Sequence, residues 1–171
     1  MPKCLNIKTN KSFTLLEAIL AVFVTSVGVL GAYGLSQQIL VYSSLSNSNF
    51  TAAYLAKEGI EIVRNIRDSN WVQEVDWRNG LIPPTADCTA GCEVDYNDSA
   101  LSLWTDPGRY LRIEPAGFYN YDSGSNTKYK RKITIEALAD GSLRVTSAVF
   151  WSEKGQQKSI TAQDILYEWW Q

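Results

Sequence analysis

A single carboxylate lies near the start of a long apolar segment, and its position needs a chemical explanation. From Phe13 through Leu35 the chain has 23 residues with one charged side chain, Glu17. As a helix this segment would measure about 35 Å, which exceeds the about 30 Å hydrocarbon core of a bilayer. A charged side chain at the bilayer centre costs up to about 3 kcal/mol. We therefore predict a membrane-spanning helix in which Glu17 is present for a functional reason.

The residues around this carboxylate form a recognisable pattern, Lys11-Ser12-Phe13-Thr14-Leu15-Leu16-Glu17. The pattern resembles the type IV prepilin family, whose members have a short basic leader, a small residue and then Phe-Thr-Leu-x-Glu at the start of a long hydrophobic helix. In that family a membrane aspartic peptidase cuts before the Phe and methylates the new amine. The resemblance implies cleavage between Ser12 and Phe13, N-methylation of Phe13 and a role in assembly for Glu17. The family usually has Gly at the position of Ser12, which is also small.

Cleavage would create a positive charge for which Glu17 is a suitable partner. If subunits bundle their apolar helices in a filament, the new amine of Phe13 enters a poorly solvated core, where an unpaired ammonium costs several kcal/mol. Glu17 is four residues from Phe13 and so lies on the same helix face. It could pair with its own amine or with that of a neighbour, and the second pairing sets an axial register for assembly. The alternative is an uncleaved signal anchor with Glu17 at the level of the lipid headgroups.

The leader, residues 1–12, predicts the orientation of this helix. It contains Lys3, Lys8 and Lys11 and no acidic residue, and short basic flanks stay on the cytoplasmic side of a membrane. Everything after Leu35 would then be extracytoplasmic. Removing the leader leaves 13 of the 16 basic side chains against 18 acidic ones, a side-chain net charge of −5. Such a charge gives no overall attraction to nucleic acid or anionic lipid.

The cysteines fit this topology. Cys4 lies in the leader and would be lost on cleavage, which leaves Cys88 and Cys92. Outside the cytoplasm this pair can close a small disulfide loop. A structural zinc site needs four ligands, and the chain has no histidine. We therefore predict a disulfide, with free thiols or a metal site as alternatives.

The chain is predicted to consist of four segments. These are a basic leader at 1–12, a transmembrane and assembly helix at 13–35, an amphipathic helix at 36–68 that continues into the head, and a strand-rich extracytoplasmic head at 69–171. One face of the predicted amphipathic helix consists of residues at helical spacing, namely Ala53, Ala56, Ile60, Val63 and Arg67.

The C-terminal part alternates apolar and polar residues and so predicts antiparallel strands. Three strands joined by turns at Asp140-Gly141 and at 153–156 would form a meander, with strands at Lys132–Leu138, Ser142–Trp151 and Gln157–Leu166. The segments 110–113 and 118–121 would add further strands. The predicted fold class is α+β and pilin-like, with one long helix packed on an antiparallel sheet.

Lys128, Lys130 and Lys132 are the candidate ligand surface. In a strand they share one face while Arg131 points the other way. Together with nearby tyrosines they could hold single-stranded nucleic acid. The preferred interpretation is the solvated face of an edge strand, so nucleic acid is expected as a partner only if this surface is used.

Enzymatic chemistry has no support in the sequence. There is no histidine, no phosphate-binding glycine loop and no Gly-x-Ser-x-Gly motif. Asp95, Asn97 and Asp98 miss the spacing of a calcium-binding EF-hand and are predicted to form a polar turn. We expect no catalytic residues, no metal and no cofactor.

The resemblance implies a structural subunit, a minor pilin rather than the main one, in a filament at the cell surface or in the periplasm. Before assembly it would be a single-pass membrane protein. Its partners would be other pilin-like subunits, the prepilin peptidase and methyltransferase, an inner-membrane assembly platform and, before assembly, membrane lipid. Three alternatives stay open: a pseudopilin of a type II secretion system, an adhesive or DNA-capturing tip pilin, and an uncleaved signal-anchored surface protein.

Overall fold

A computed structural model describes residues 14–105 and 107–168. The predicted processing residues Ser12 and Phe13 lie outside this described part. By its internal contacts the chain divides into two units, residues 1–44 and residues 45–171. The second unit contains the sheets and the core.

One long helix, α1 (Leu15–Val72), contributes residues to both units. Its 58 residues contain no proline, which would interrupt the backbone hydrogen bonds of a helix. The helix ends in a Schellman motif, in which the amide of Val75 donates to the carbonyl of Asn70 at 3.0 Å. Glu74 has a left-handed backbone with φ of 58°, although it is not glycine.

The helix continues four residues beyond Asp68, where the sequence predicts its end. Asn70 explains the extension, because it is buried and its side-chain amide donates to the carbonyls of Trp77 and Asn79, at 3.1 and 2.7 Å. These bonds attach the last turns of the helix to the loop that follows.

Within the described residues, eight strands follow the helix, in chain order β1 (Cys92–Glu93), β2 (Ser102–Leu103), β3 (Arg112–Ile113), β4 (Tyr119–Asn120), β5 (Ser125–Asn126), β6 (Lys130–Ala137), β7 (Leu143–Glu153) and β8 (Gln156–Leu166). They form a five-stranded antiparallel sheet in the order β2-β1-β6-β7-β8 and a three-stranded sheet in the order β4-β3-β5. The predicted α+β class, with one long helix on an antiparallel sheet, is confirmed.

The strands β6, β7 and β8 form the predicted meander. The turn between β6 and β7 contains Gly141 with φ of 83°, and the turn between β7 and β8 has positive φ at both Lys154 and Gly155. Two adjacent residues with positive φ are typical of the tight turns that match the twist of a hairpin.

The prediction that the lysine-rich strand is an edge strand is wrong. Its strand, β6, is the third of five, because Cys92 of β1 pairs with Ile133. The segments predicted to add strands near residues 110–113 and 118–121 do so in the smaller sheet and not beside the meander.

The second half of α1 packs on one face of the larger sheet. Its buried residues recur every three or four positions, at Ser48, Ala52, Leu55, Ala56, Gly59, Ile60, Ile62, Val63, Ile66, Arg67 and Asn70. Ala53, predicted on this face, is exposed, and Ala52 takes its place. Gly59 marks the closest approach, since a Cβ there would lie 2.5 Å from Ser147 Oγ and 2.7 Å from Ile133 Cδ1.

Arg131 is the largest fully buried side chain, and it lies between α1 and the sheet. Its guanidinium donates to the carbonyls of Leu55 and Val94 at 3.1 and 2.7 Å and to the carboxylate of Glu58 at 2.9 Å. A buried cation is tolerated when it is paired and hydrogen-bonded in this way. Arg131 therefore ties the helix to the strands.

Candidate functional site

The N-terminal end of α1 begins directly after Thr14. The amide of Glu17 donates to Thr14 Oγ1 at 3.2 Å, which is one of the two hydrogen bonds of a capping box with the pattern Thr-x-x-Glu. An acidic residue in the first turn also interacts favourably with the helix dipole. This local role was missed in the sequence interpretation, although the spacing of Thr14 and Glu17 signals it.

The first half of α1 is apolar and unburied. Within the described residues, one helix is long and apolar enough to cross a membrane, and none of its apolar window is buried. The exposed large side chains of this half include Leu15, Leu16, Ile19, Leu20, Val22, Phe23, Val24, Val27, Val29, Leu30, Tyr33 and Leu35. The apolar window of this half therefore lacks the burial that is typical of the core helix of a soluble protein.

Three hydroxyl groups of this half donate to carbonyl groups within the helix. Thr25 Oγ1 donates to the carbonyl of Ala21 at 2.6 Å, Ser36 Oγ donates to that of Ala32 at 3.0 Å, and Ser26 donates to that of Val22. Such back-bonding removes the cost of placing a hydroxyl in an apolar environment. The polar residues of the segment are thus compatible with lipid or with neighbouring apolar helices.

Three glycines interrupt the apolar surface at positions where no contact among the described residues requires a glycine. A Cβ added at Gly28, Gly31 or Gly34 would meet no atom within 4 Å. Glycine costs about 1 kcal/mol relative to alanine inside a helix. Small residues allow helices in an apolar environment to approach closely, so these positions suit contact with another helix.

The predicted pair Cys88 and Cys92 is joined by a disulfide, with the Cα atoms 5.1 Å apart. Both residues are buried in the core of the head. Cys92 begins β1 and pairs with Ile133, so the bridge lies beside the central strand of the sheet. Closing a loop of about five residues contributes on the order of 2 kcal/mol.

The structure separates the three candidate lysines into two kinds. Lys128 is engaged within the protein, because its ammonium donates to Ser48 Oγ at 2.7 Å and forms an ion pair with Glu153. The hydrogen bond from Lys128 holds the pKa of the Glu153 carboxyl below its ordinary value. Lys130 and Lys132 form no ion pair with another described residue. All three ammonium groups lie near aromatic rings, at 5.7 Å from the centroid of Tyr129 for Lys128 and at 4.4 and 5.9 Å from the centroids of Tyr110 and Trp104 for Lys130 and Lys132.

These lysines line a cleft of about 570 Å³. The cleft lies on the face of the sheet opposite to the one that buries Arg131, because Lys130 and Lys132 alternate with Arg131 along β6. Its wall includes Trp104, Tyr110 and Phe150. No pattern in the sequence indicated Trp104, which comes from the connecting region before β3.

Asp95, which the sequence predicts in a polar turn, is buried, and its hydrogen bonds attach that turn to the head. Its carboxylate accepts hydrogen bonds from the amides of Tyr121 and Tyr96, at 2.9 and 2.6 Å. Burial raises the pKa of this carboxyl. Within the described residues, 14–105 and 107–168, no group of three or more histidine, cysteine or acidic side chains is arranged to hold a metal.

The fold and these sites define a protein with one helix of membrane-spanning length and an α+β head with a disulfide. Comparison with protein-family models, with curated proteins and with solved structures found no match for this chain.

Proposed function

We propose that the protein is a structural, non-enzymatic subunit of a type IV pilus-type filament, of the minor pilin kind. The prepilin peptidase would cut after Ser12, and the apolar half of α1 would then assemble with the helices of neighbouring subunits. The main support is an unburied apolar helix that carries a carboxylate in its first turn and continues into the helix of a folded head.

The apolar half of α1 needs a partner environment in every step of this proposal. Membrane lipid would supply it before assembly, and neighbouring helices would supply it in the filament. The back-bonded hydroxyls and the glycines at 28, 31 and 34 suit both environments. Before assembly the basic leader would keep the N-terminus cytoplasmic and the head outside.

Glu17 would have two roles in this scheme. Its backbone amide donates to Thr14 Oγ1, and among residues 14–105 and 107–168 no ion pair involves its carboxylate, which would act as the acceptor for a positive group. The cleaved amine of Phe13 in a neighbouring subunit would provide that group. The charge pair would lower the cost of burying both groups and would set the axial register of the subunits.

Three alternatives differ in what happens to the helix or to the head. A pseudopilin of a type II secretion system would use the same N-terminal steps in a short filament, so filament length and co-purifying components distinguish it. A tip pilin would use the head to bind a ligand or DNA. A signal-anchored surface protein would keep residues 1–12.

The first test is the mass and N-terminal sequence of the protein from membranes with and without an active prepilin peptidase. The proposal expects a chain that begins with N-methylated Phe13 only when the peptidase is active. A chain that retains residues 1–12 in both samples would replace the filament proposal with the signal-anchor alternative.

The substitution Glu17→Gln distinguishes the contribution of the negative charge from that of the helix cap. The glutamine keeps the size and hydrogen-bonding capacity of the side chain, and Thr14 still caps the helix, but the negative charge is lost. We expect normal cleavage and an unchanged melting temperature of the head, together with loss of incorporation into filaments. Wild-type incorporation of this variant would exclude charge pairing as the assembly mechanism.

A further inference from the structure

The cleft on the outer face of the larger sheet combines cations, aromatic rings and neutral polar groups. Besides the lysines and rings already described, Thr127, Ser152 and Gln157 line it. Its volume of about 570 Å³ falls within the range of about 300–1,000 Å³ that is usual for ligand pockets.

Two ammonium groups in this cleft are oriented without being neutralised. Throughout residues 14–105 and 107–168, no carboxylate forms an ion pair with Lys130 or Lys132. Lys130 also donates to the carbonyl of Pro107 at 3.1 Å, which uses one of its three N–H donors. Both groups therefore keep donors and charge for an anionic ligand, whereas the charge of Lys128 is compensated by Glu153.

The rings differ in what they offer to a ligand. Trp104 packs closely against Gly108, where a Cβ would lie 2.0 Å from the ring, and it also lies near the ammonium of Lys132. Tyr110 and Phe150 remain 49% and 37% exposed. The cleft thus offers limited apolar surface at its wall rather than a row of free ring faces on which successive bases could stack.

We infer that this cleft binds an acidic oligosaccharide, with Lys130 and Lys132 contacting its carboxylate or sulfate groups. The hydroxyl and amide groups of Thr127, Ser152 and Gln157 suit sugar hydroxyls, and the exposed parts of Tyr110 and Phe150 suit the apolar faces of sugar rings. Charge-assisted hydrogen bonds from the two ammonium groups would supply much of the affinity.

Charge favours this ligand over nucleic acid. Affinity for nucleic acid comes mainly from neutralising several phosphates, and the cleft provides two uncompensated lysines in a chain whose net charge is −2. An oligosaccharide with few anionic groups needs no more cations than Lys130 and Lys132 provide. The inference does not depend on filament assembly, so either proposal can fail alone.

The experiment is a calorimetric titration of the full chain in non-ionic detergent micelles. The probes are trigalacturonate, its methyl ester, a chondroitin-sulfate tetrasaccharide and a twelve-nucleotide oligothymidylate. We expect saturable binding of at least one acidic oligosaccharide. If that oligosaccharide is trigalacturonate, its neutral methyl ester should bind about tenfold more weakly or worse, because it lacks the charge that the lysines contact.

Lys130→Gln and Lys132→Gln should each weaken the binding of the acidic oligosaccharide about tenfold. Lys158→Gln is the matched control, because it removes the same charge from an exposed position of β8 that does not line the cleft. Equal melting temperatures would show that all variants are folded.

Three results would overturn the inference. They are no saturable binding of either acidic oligosaccharide, binding that is unchanged in both cleft variants, and tighter binding of the oligothymidylate with the same dependence on Lys130 and Lys132. The last result would assign the cleft to nucleic acid.

Discussion

The two halves of α1 belong to one helix but differ in what surrounds them. In the first half the apolar side chains are exposed, and a Cβ added at Gly28, Gly31 or Gly34 would meet no atom of the described residues within 4 Å. In the second half, residues from Ser48 to Asn70 are buried against the head, and Gly59 is in a position where a Cβ would collide with the sheet. Contacts with the sheet therefore require glycine at position 59 in the second half, whereas no contact among the described residues requires the glycines of the first half.

Because of this difference, substitutions in the two halves of α1 should have different effects on the stability of the head. Changes in the second half should lower the stability of the isolated protein, because the contacts of this half lie within the head. Changes in the first half should leave the stability of the head unaltered and alter only the interactions that the proposed function assigns to this half, with lipid or with other subunits. The following predictions test that division, from the largest expected effect to the smallest.

Replacing Arg131 should have the largest effect. Arg131→Ala removes a fully buried cation from the carbonyls of Leu55 and Val94 and from Glu58. Breaking such a buried pair costs about 3–5 kcal/mol in free energy of unfolding. Denaturant unfolding of the full chain in detergent, followed by tryptophan fluorescence, measures the loss.

The matched control for this prediction is the adjacent Lys132→Ala, whose side chain lies on the other face of the same strand. A surface substitution of this kind changes stability by about 0.5 kcal/mol or less. Equal losses for the two variants would show that Arg131 does not tie the helix to the strands.

Glycine substitutions at two places on α1 should give opposite results. Gly59→Val places a side chain against Ser147 and Ile133 and should destabilise the head by about 1–3 kcal/mol through overpacking. Gly31→Val meets open space and should leave the unfolding of the head unchanged. If Gly31→Val instead destabilised the head as much as Gly59→Val, the division between the two halves would be wrong.

The ion pair between Lys128 and Glu153, which lies next to Ser48 at the start of the buried half, can be tested by varying the pH. The ion pair with Lys128 lowers the folded-state pKa of Glu153, so its contribution to stability is present above the ordinary glutamate pKa and is lost as pH falls through the folded-state pKa. Glu153→Gln should therefore lower the melting temperature near neutral pH. The variant and the wild type should converge at a pH well below the ordinary glutamate pKa.

A difference in melting temperature that stayed constant over this pH range would contradict the ion-pair explanation. It would indicate that Glu153 acts through packing.

The parts of the fold that were predictable have strong local signals. The meander β6-β7-β8 follows from alternating residues and from the turns at Asp140-Gly141 and around Gly155, and the long helix follows from helical spacing without proline. The smaller strands were less predictable. Each of β1 to β5 has two residues, too few to show a period, and their pairing depends on contacts distant in the sequence.

The candidate site was predictable only in part. The alternation of Lys130, Arg131 and Lys132 correctly indicated opposite faces of a strand. The sequence could not indicate that Lys128 pairs with Glu153, because the two residues lie 25 positions apart in the chain and meet through the fold. It also could not place Trp104 beside Lys132, since this contact depends on the route of the loop before β3.

If the proposed filament holds the protein by its helix, the attachment of α1 to the head has a mechanical consequence. Polar contacts between them extend from Ser48, which bonds to Lys128, to Arg64, whose guanidinium lies 2.6 Å from the carboxylate of Asp164. Sixteen residues of helix span about 24 Å. Tension along the helix would load these contacts in shear over that length, so no single bond would have to bear the whole force.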